Sequence, residues 1–392
     1  MDIGIDATCW WNNRGFGRFT RELLAELFQL ESDHRFHLFT DQPIPEAAAY
    51  ANVDVHLVNT SRPCTEAAVV DDNRSPLDML RMSRAVSAVP LDVMFFPAVY
   101  SWYPVPPRLP TMVTVMDAIA EHYPKLIFPG WRSRFFWTLK MKGAIWNSDR
   151  ILTISNAARD EIVQYIGVSA QKIDVCSAAP TSAFDRVTDP QRLANARISA
   201  GIPADLPYII YVGGLAPHKN LHGLLDGFEK ALQNPAAATL QLALVGDYNG
   251  AGFHSNYESL LARVQSNPQL SERVHFTGYV SDDELVALYS DSLAAAMPSF
   301  SEGFGLPVIE ALACGTPVLS SELGSLPEVA GDAGVYFDPF SADSIAAAIV
   351  QVASDSELRQ RLAENGTRRA QEFTWHRAAR LTLGYLQSMG PS

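Results

Sequence analysis

Two glutamates, Glu302 and Glu310, lie with seven residues between them in the stretch SEGFGLPVIEALACGTPV (301–318). Carboxylates serve either as proton carriers or as acceptors for the hydroxyls of a bound polyol. Gly303 and Gly305 between them allow the backbone to approach a ligand closely. Pro307 suits the first turn of a helix and Gly315 its C-terminal stop, so the spacing predicts a helix over about 307–314. A helix start preceded by glycines offers free amides and a positive dipole end, which suit a phosphate. Glu310, one turn into that helix, is placed to accept bonds from a ribose diol, and Glu302, on the loop, to face the hydroxyls of a sugar. The bland alternative is that both acids are solvated or cap the helix.

Other chemistry-bearing groups are sparser. Gly15 and Gly17 form a glycine pair after the first predicted strand and before a predicted helix. A plain loop is the common meaning of such a pair. Asp117 follows the strand TMVTVM (111–116) and is a candidate for an acceptor hydroxyl, against a strand-end cap. His122, a few residues on, is a candidate to stand in for a histidine near a bound sugar, against the common reading of an exposed loop histidine. No Asp-x-Asp occurs in the chain, so no obligatory metal and no cofactor is expected.

The elements that must position these groups are short apolar, β-branched runs alternating with helical patterns, the signature of parallel α/β architecture. Predicted strands in the first half are 2–7, 35–40, 53–58, 92–96, 111–116 and 150–155. In the second half they are 208–213, 240–246, 273–278, 293–298, 316–321 and 334–338. Helical stretches such as 16–30, 220–233, 282–291 and 342–352 lie between them. The reading is α/β, with two Rossmann-like domains facing across a cleft: 1–185, then 186–370, with a C-terminal helical segment, 371–392, returning to the first. Breakers near 180–206 mark the join. Ligands of such sheets bind beyond the carboxyl ends of the strands.

The composition agrees with a globular protein of more than one domain. The 392 residues are 47% hydrophobic and 19% charged. A net charge of −13 argues against nucleic acid as a partner. The N-terminal MDIGIDATCW lacks a basic segment followed by an apolar run, and no stretch reaches the length of a membrane span. Cys9, Cys64, Cys176 and Cys314 are far apart in the chain, with no metal-ligand spacing, and read as reduced, mostly buried thiols of a cytoplasmic protein.

Four blocks carry a resemblance: YVGGLAPHKNL (211–221), FTGYVSDDELVALYSDS (276–292), MPSFSEGFGLPVIEALACGTPVLSSELGSLPEVAGDAG (297–334) and FTWHRAA (373–379). With the N-terminal GIDATCWWNNRGFGRFTRELLAEL (4–27), they resemble glycosyltransferase family 4, retaining enzymes of the two-Rossmann (GT-B) fold. The resemblance implies that Glu302 contacts the transferred sugar and Glu310 the nucleotide ribose. It assigns the amides of Gly303, Phe304, Gly305 and Leu306 to the sugar and diphosphate, and Lys219 to neutralising the diphosphate as it leaves. Gly15 and Gly17 take the donor phosphate, and the turn at Val280 the base. Many members have arginine where this chain has Gly214. His218, before Lys219, stands where close relatives often have arginine, so it supplies a second positive group only when protonated, or acts as a neutral hydrogen-bond donor. Met116 replaces the histidine that relatives place before Asp117.

The resemblance thus implies a retaining glycosyltransferase acting by front-face displacement, in which positioning and positive charge matter more than a strong base. Hexose transfer is expected, with GDP-mannose as donor and a polysaccharide or lipid-linked saccharide as acceptor. Alternatives are a non-catalytic GT-B protein that binds sugar nucleotides and a GT-B epimerase. Residues 124–150 stand apart in this acidic chain, with six basic residues against one acid and interleaved aromatics. They read as a domain-core helix whose basic side chains snorkel to water. The alternative is a peripheral contact with the inner face of a membrane.

Overall fold

A computed structural model describes residues 1–12, 14–30, 33–62, 75–247 and 256–390; Cys64 lies outside them. The described chain forms two compact units, Met1–Ala178 with Thr374–Ser392, and Ala179–Phe373. The residues after Ala178 join the second unit because they pack there: Val187 N donates to Ser290 Oγ (3.0 Å) and the Phe184 ring meets Tyr289.

In the first unit a parallel sheet runs in the order β3-β2-β1-β4-β5-β6-β7. Its strands are β1 (Asp2–Asp6), β2 (Arg35–Thr40), β3 (Val53–Leu57), β4 (Val93–Phe96), β5 (Thr111–Thr114), β6 (Arg150–Thr153) and β7 (Ile173–Val175). The sheet of the second unit has the order β10-β9-β8-β11-β12-β13, again parallel. Its strands are β8 (Tyr208–Val212), β9 (Gln241–Val245), β10 (Val274–Gly278), β11 (Ala294–Met297), β12 (Val318–Ser321) and β13 (Gly334–Phe337). Both orders reverse direction in mid-sheet, between β1 and β4 and between β8 and β11. These switch points are where doubly wound sheets open to ligands.

Central strands are buried on both faces, which is why they read as continuous apolar runs rather than alternating ones. Each of the twelve runs expected to be a strand forms one. β7 is the strand the pattern missed. It has three residues with Asp174 at its middle, and that carboxylate is buried only because the Arg150 guanidinium, on β6, pairs with it (Nε–Oδ2 2.8 Å). In the second unit Leu225 and Phe228, on the helix Leu221–Ala231, pack with Ile345 and Ile349, on the helix Ala342–Ser354. A Cβ on Gly227 would come within 2.4 Å of Ile345, so glycine sets how closely those two helices approach.

The helix Trp131–Asn147 packs on the core through Met141 and Ala144, with Trp137 and Ile145 against it, but exposes more apolar surface than expected of a core helix. Only Met141 and Ala144 on it are buried, while Trp131, Phe135, Phe136, Leu139 and Trp146 are exposed. Its apolar residues point both ways, so no single arc marked the core side. No helix among the described residues is long and apolar enough to cross a membrane.

The helix Trp375–Gln387 packs on the first helix, Gly15–Gln29. The Trp375 and Phe19 rings meet edge-on at 5.7 Å, His376 Nδ1 lies 2.9 Å from Glu26, and Tyr385 Oη donates to the Val175 carbonyl (3.2 Å). It buries Trp375, Ala378, Ala379, Leu383 and Leu386. Losing those side chains from an apolar seam costs several kcal/mol, with Leu-to-cavity changes alone costing about 2–5 kcal/mol each. A chain ending at Phe373 is therefore expected to melt at least about 5 °C lower. An unchanged melting temperature by calorimetry would show that the seam is unimportant.

Candidate functional site

The loops leaving β8 and β11, on either side of the second switch point, bring together the residues that the sequence singled out. After β8 the chain passes Gly213 and Gly214 into a short 3₁₀ turn, Pro217–Lys219. After β11 it runs through Ser299 and Glu302 to the helix Leu306–Ala313. Lys219 Nζ donates to both carboxylate oxygens of Glu302, at 2.6 and 2.8 Å. The lysine and glutamate side chains are 21% and 10% exposed, so the pair is largely shielded from water.

Several hydrogen bonds fix this arrangement. Ser299 Oγ donates to Glu302 Oε1 (2.6 Å), and Ser325 Oγ, from the loop after β12, donates to the Glu302 carbonyl (2.8 Å). Phe300 N donates to the His218 carbonyl (2.9 Å), which ties the two loops directly. Asn220 adopts a left-handed conformation (φ 54°) and donates from Nδ2 to the carbonyls of Pro298 and Pro339. Asparagine is among the few residues that tolerate that region. Ser299, Asn220 and Ser325 were not singled out from sequence. Asn220 carried the one available signal, a turn-type residue directly before a helix.

Gly305 has φ 92°, and a Cβ there would lie 2.8 Å from Leu326, so both its conformation and its surroundings demand glycine. It caps Leu306–Ala313 with no side-chain bond, and Val308 N donates to its carbonyl (2.9 Å). Glu310 is in the second turn of that helix and is 3% exposed. Its neighbour Cys314 is pushed up to about 12 by burial and by the Glu310 charge, so that thiol is inert. Cys9 and Cys176 are likewise buried, and neither is in a disulfide. Nothing lies within 4 Å of a Cβ built on Gly214, so the place where a longer side chain would stand is open space. Val280 is nearly buried at the turn after β10, beside an exposed Tyr279.

The electrostatics are set by burial. Burial opposes ionisation of Glu302, yet the Lys219 ammonium, with the Lys219 and Ser299 hydrogen bonds, holds its carboxyl below the usual range. Burial and the Lys219 charge lower His218 to about 4. The charged role allowed for His218 is therefore corrected: at neutral pH it is uncharged. Its Nδ1 is buried without a hydrogen-bond partner. An orphaned polar atom of this kind is costly, and a ligand group can satisfy it.

In the first unit, Gly15 opens the Gly15–Gln29 helix and Gly17 ends its first turn. A Cβ on Gly17 would overlap the Asn12 carbonyl at 2.0 Å. Asp117, after β5, accepts from Ile119 N (3.1 Å), the capping role weighed against an acceptor role. His122 is not a free loop histidine. It is half-buried, sandwiched between Tyr123 (3.9 Å) and Tyr165 (4.1 Å), with Nε2 2.9 Å from Tyr165 Oη. Glu121 and Tyr100, both unnoticed in the sequence, lie near Asp117. Burial raises the Glu121 carboxyl, with the Asp117 charge adding to it. Burial likewise raises the Tyr100 hydroxyl, with the Asp117 and Glu121 charges contributing.

Comparison with known proteins agrees with this layout. The family model described as "Glycosyl transferases group 1" matches residues 194–369, and that of "Glycosyltransferase Family 4" matches 13–177. The O-antigen chain mannosyltransferase B of Escherichia coli is 31% identical over 59% of this chain and 59% of its own length. A D-inositol 3-phosphate glycosyltransferase of Rhodococcus jostii is 30% identical over 62% of this chain and 55% of its own. The matched region thus spans under two thirds of these relatives. Among solved structures, sucrose-phosphate synthase of Thermosynechococcus elongatus has a TM-score of 0.73 at 19% identity, covering 99% of this chain and 98% of that one. Anabaena HepE in complex with UDP and glucose has a TM-score of 0.70 at 18% identity, covering 99% of each chain. At these identities the likeness is one of fold, and the fold is the two-Rossmann GT-B class.

The buried His218 has a consequence for stability. Unfolded, it takes up a proton near 6.5; folded, only near 4. Between those values the unfolded state holds more protons, so stability is highest above pH 6.5 and falls as pH drops toward 4, by up to about 3 kcal/mol. Glu302, with its lowered value, adds stability that is complete above the ordinary carboxylate range and is lost below it. His218→Leu is expected to flatten the melting-temperature profile between pH 6.5 and 4. A variant whose profile stays parallel to that of the parent would show that the slope arises elsewhere.

Proposed function

The chain belongs to glycosyltransferase family 4, and we propose that it is a retaining enzyme moving a hexose from a nucleotide sugar to a saccharide or lipid-linked saccharide. The observation that carries this reading is the shielded Lys219–Glu302 pair at the switch point of the second sheet, beside a glycine-led helix start.

In this mechanism the bond between the anomeric carbon and the diphosphate oxygen breaks, and the diphosphate leaves with the electron pair. An acceptor hydroxyl attacks from the same face, and its proton passes to the departing phosphate oxygen. The protein then supplies charge and position rather than a base. Lys219 and the amides of Gly303 through Leu306 meet the negative charge as it develops. Glu302 accepts from sugar hydroxyls while Lys219 keeps it ionised. Glu310 receives the ribose at the edge of its buried carboxylate, and the backbone at Val280 meets the base. Gly214 leaves room for the donor, and the neutral His218 offers its orphaned Nδ1 to a polar group of the donor. Gly15 and Gly17 present first-turn amides suited to an anion, and Asp117 takes an acceptor hydroxyl.

Mannose from GDP-mannose is the donor sugar we favour, because relatives at about this identity are named mannosyltransferases. Polysaccharide or glycolipid assembly is the matching role. The buried free thiols suit a reducing, cytoplasmic setting. The reading requires no metal, since Lys219 and helix amides supply the positive charge.

Glu302→Gln is expected to lower kcat by about 100-fold or more, the range seen when one donor or acceptor to the reacting group is removed. Turnover is measured with GDP-, UDP- and ADP-sugars, and the anomer of the product is determined by NMR. Full turnover in Glu302→Gln, or an inverted product, would overturn the assignment. Transfer should persist in excess chelator. Loss that is restored by Mg²⁺ would refute metal independence.

A further inference from the structure

The helix Trp131–Asn147 has two apolar faces, and the fold uses only one. Its inner face buries Met141 and Ala144. Gly143 lets Trp102 close in, since a Cβ there would lie 2.8 Å from the indole. Trp137 Nε1 donates to Glu121 Oε1 (2.8 Å), and Lys140 Nζ donates to the Tyr100 carbonyl (3.1 Å). This face therefore bonds to two residues that feel the Asp117 charge.

The outer face has no such partner. Trp131, Phe135, Leu139 and Trp146 are 74%, 57%, 60% and 82% exposed. At 100° per residue they fall within one quadrant of the helix, along about 22 Å of its length. Such a stripe on a folded surface marks a contact, since soluble proteins rarely expose contiguous aromatic area. Charge decides which contact. Lys125, Arg132, Arg134 and Lys142 are exposed, and among the described residues none forms an ion pair. The Arg132 guanidinium lies over the Trp131 ring at 5.5 Å. A second copy of this face would bring like charges together, whereas an anionic lipid surface neutralises them and takes up the rings. Indole and basic side chains are the groups that settle at the headgroup boundary of a bilayer.

We propose that the outer face of Trp131–Asn147 lies in the interface of an anionic membrane, so that the loops carrying Tyr100, Asp117 and Glu121 meet an acceptor borne by that membrane. The docking stands on the exposed face alone. The choice of a lipid-linked acceptor over a soluble one rests on the transferase reading above. Because Trp137 and Lys140 hold the Asp117 surroundings from the same helix, membrane contact and acceptor placement are mechanically joined.

Flotation of the full chain with phosphatidylcholine vesicles, with and without phosphatidylglycerol, tests this. Binding is expected only with phosphatidylglycerol, and weaker at high salt as the charges are screened. Trp131→Ser combined with Phe135→Ser and Trp146→Ser, and separately Arg132→Glu with Arg134→Glu and Lys142→Glu, should each weaken binding by about tenfold or more. Both variants should keep the parent melting temperature and donor hydrolysis. Failure to float at low salt, or parent-like flotation of both variants, would overturn the docking. So would a dimer that the triple serine variant makes monomeric, since a second copy would then cover the face. Donor hydrolysis is measured in parallel: its absence in the parent would overturn the transferase reading and leave the flotation result standing.

Discussion

The second unit is organised around one costly interaction, the shielded ion pair between Lys219 and Glu302. Removing two charges from water costs several kcal/mol per ion, and mutual attraction only offsets this when the remaining hydrogen-bonding capacity is filled. The surrounding loops fill it. Ser299 occupies a carboxylate oxygen, Ser325 the Glu302 carbonyl, and the Phe300 amide joins the lysine-bearing turn to the glutamate-bearing one. Such a pair adds little net stability against an apolar replacement, so its presence points to a use for a cation held in place at the end of the sheet. The strand order explains why the pair forms there. β8 and β11 are neighbours whose following loops diverge at the switch point, and there two loops separated by about eighty residues meet through Lys219 and Glu302.

Much of this was legible in the chain. Central parallel strands are apolar throughout and bounded by breakers, and twelve runs announced themselves that way. The helix after Glu302 was marked by Pro307 and Gly315, and it forms over Leu306–Ala313. β7 was not legible, because a three-residue strand with a central aspartate becomes apolar enough to bury only after Arg150 has paired with it. The supports of the ion pair escaped for a related reason. Ser325 is 23 residues from Glu302, and Asn220 bonds to Pro298 and Pro339, so their roles exist only in the folded arrangement. Serine and asparagine in loops carry no signal that separates such a strut from a solvated turn.

The histidines show the same limit in electrostatic form. A sequence gives residue type and not burial, and burial decides the charge of an imidazole. His218, next to a lysine, is driven neutral by desolvation and by that lysine together. With Gly214 opening onto space, the positive charge beside Glu302 is that of Lys219, and the proposed function adds backbone amides to it. Amide dipoles require no proton and do not titrate, so a site built this way keeps its charge pattern across a wide pH range once the fold itself is stable.

The helix over 131–147 shows where pattern runs out. Periodicity finds a core face by contrast with a polar one, and here the contrast is missing because both faces are apolar. Trp137 and Lys140 reach inward to Glu121 and Tyr100, while Trp131, Phe135, Leu139 and Trp146 stand outward among unpaired cations. A helix buried on two sides would be polar on neither and would need no cations. A purely solvated one would not expose two indoles. What satisfies both observations is a helix whose second side is completed by something anionic and apolar at once, and a bilayer boundary has that character. Under the docking proposed above, the inner bonds to Glu121 and Tyr100 join that completion to the surroundings of Asp117.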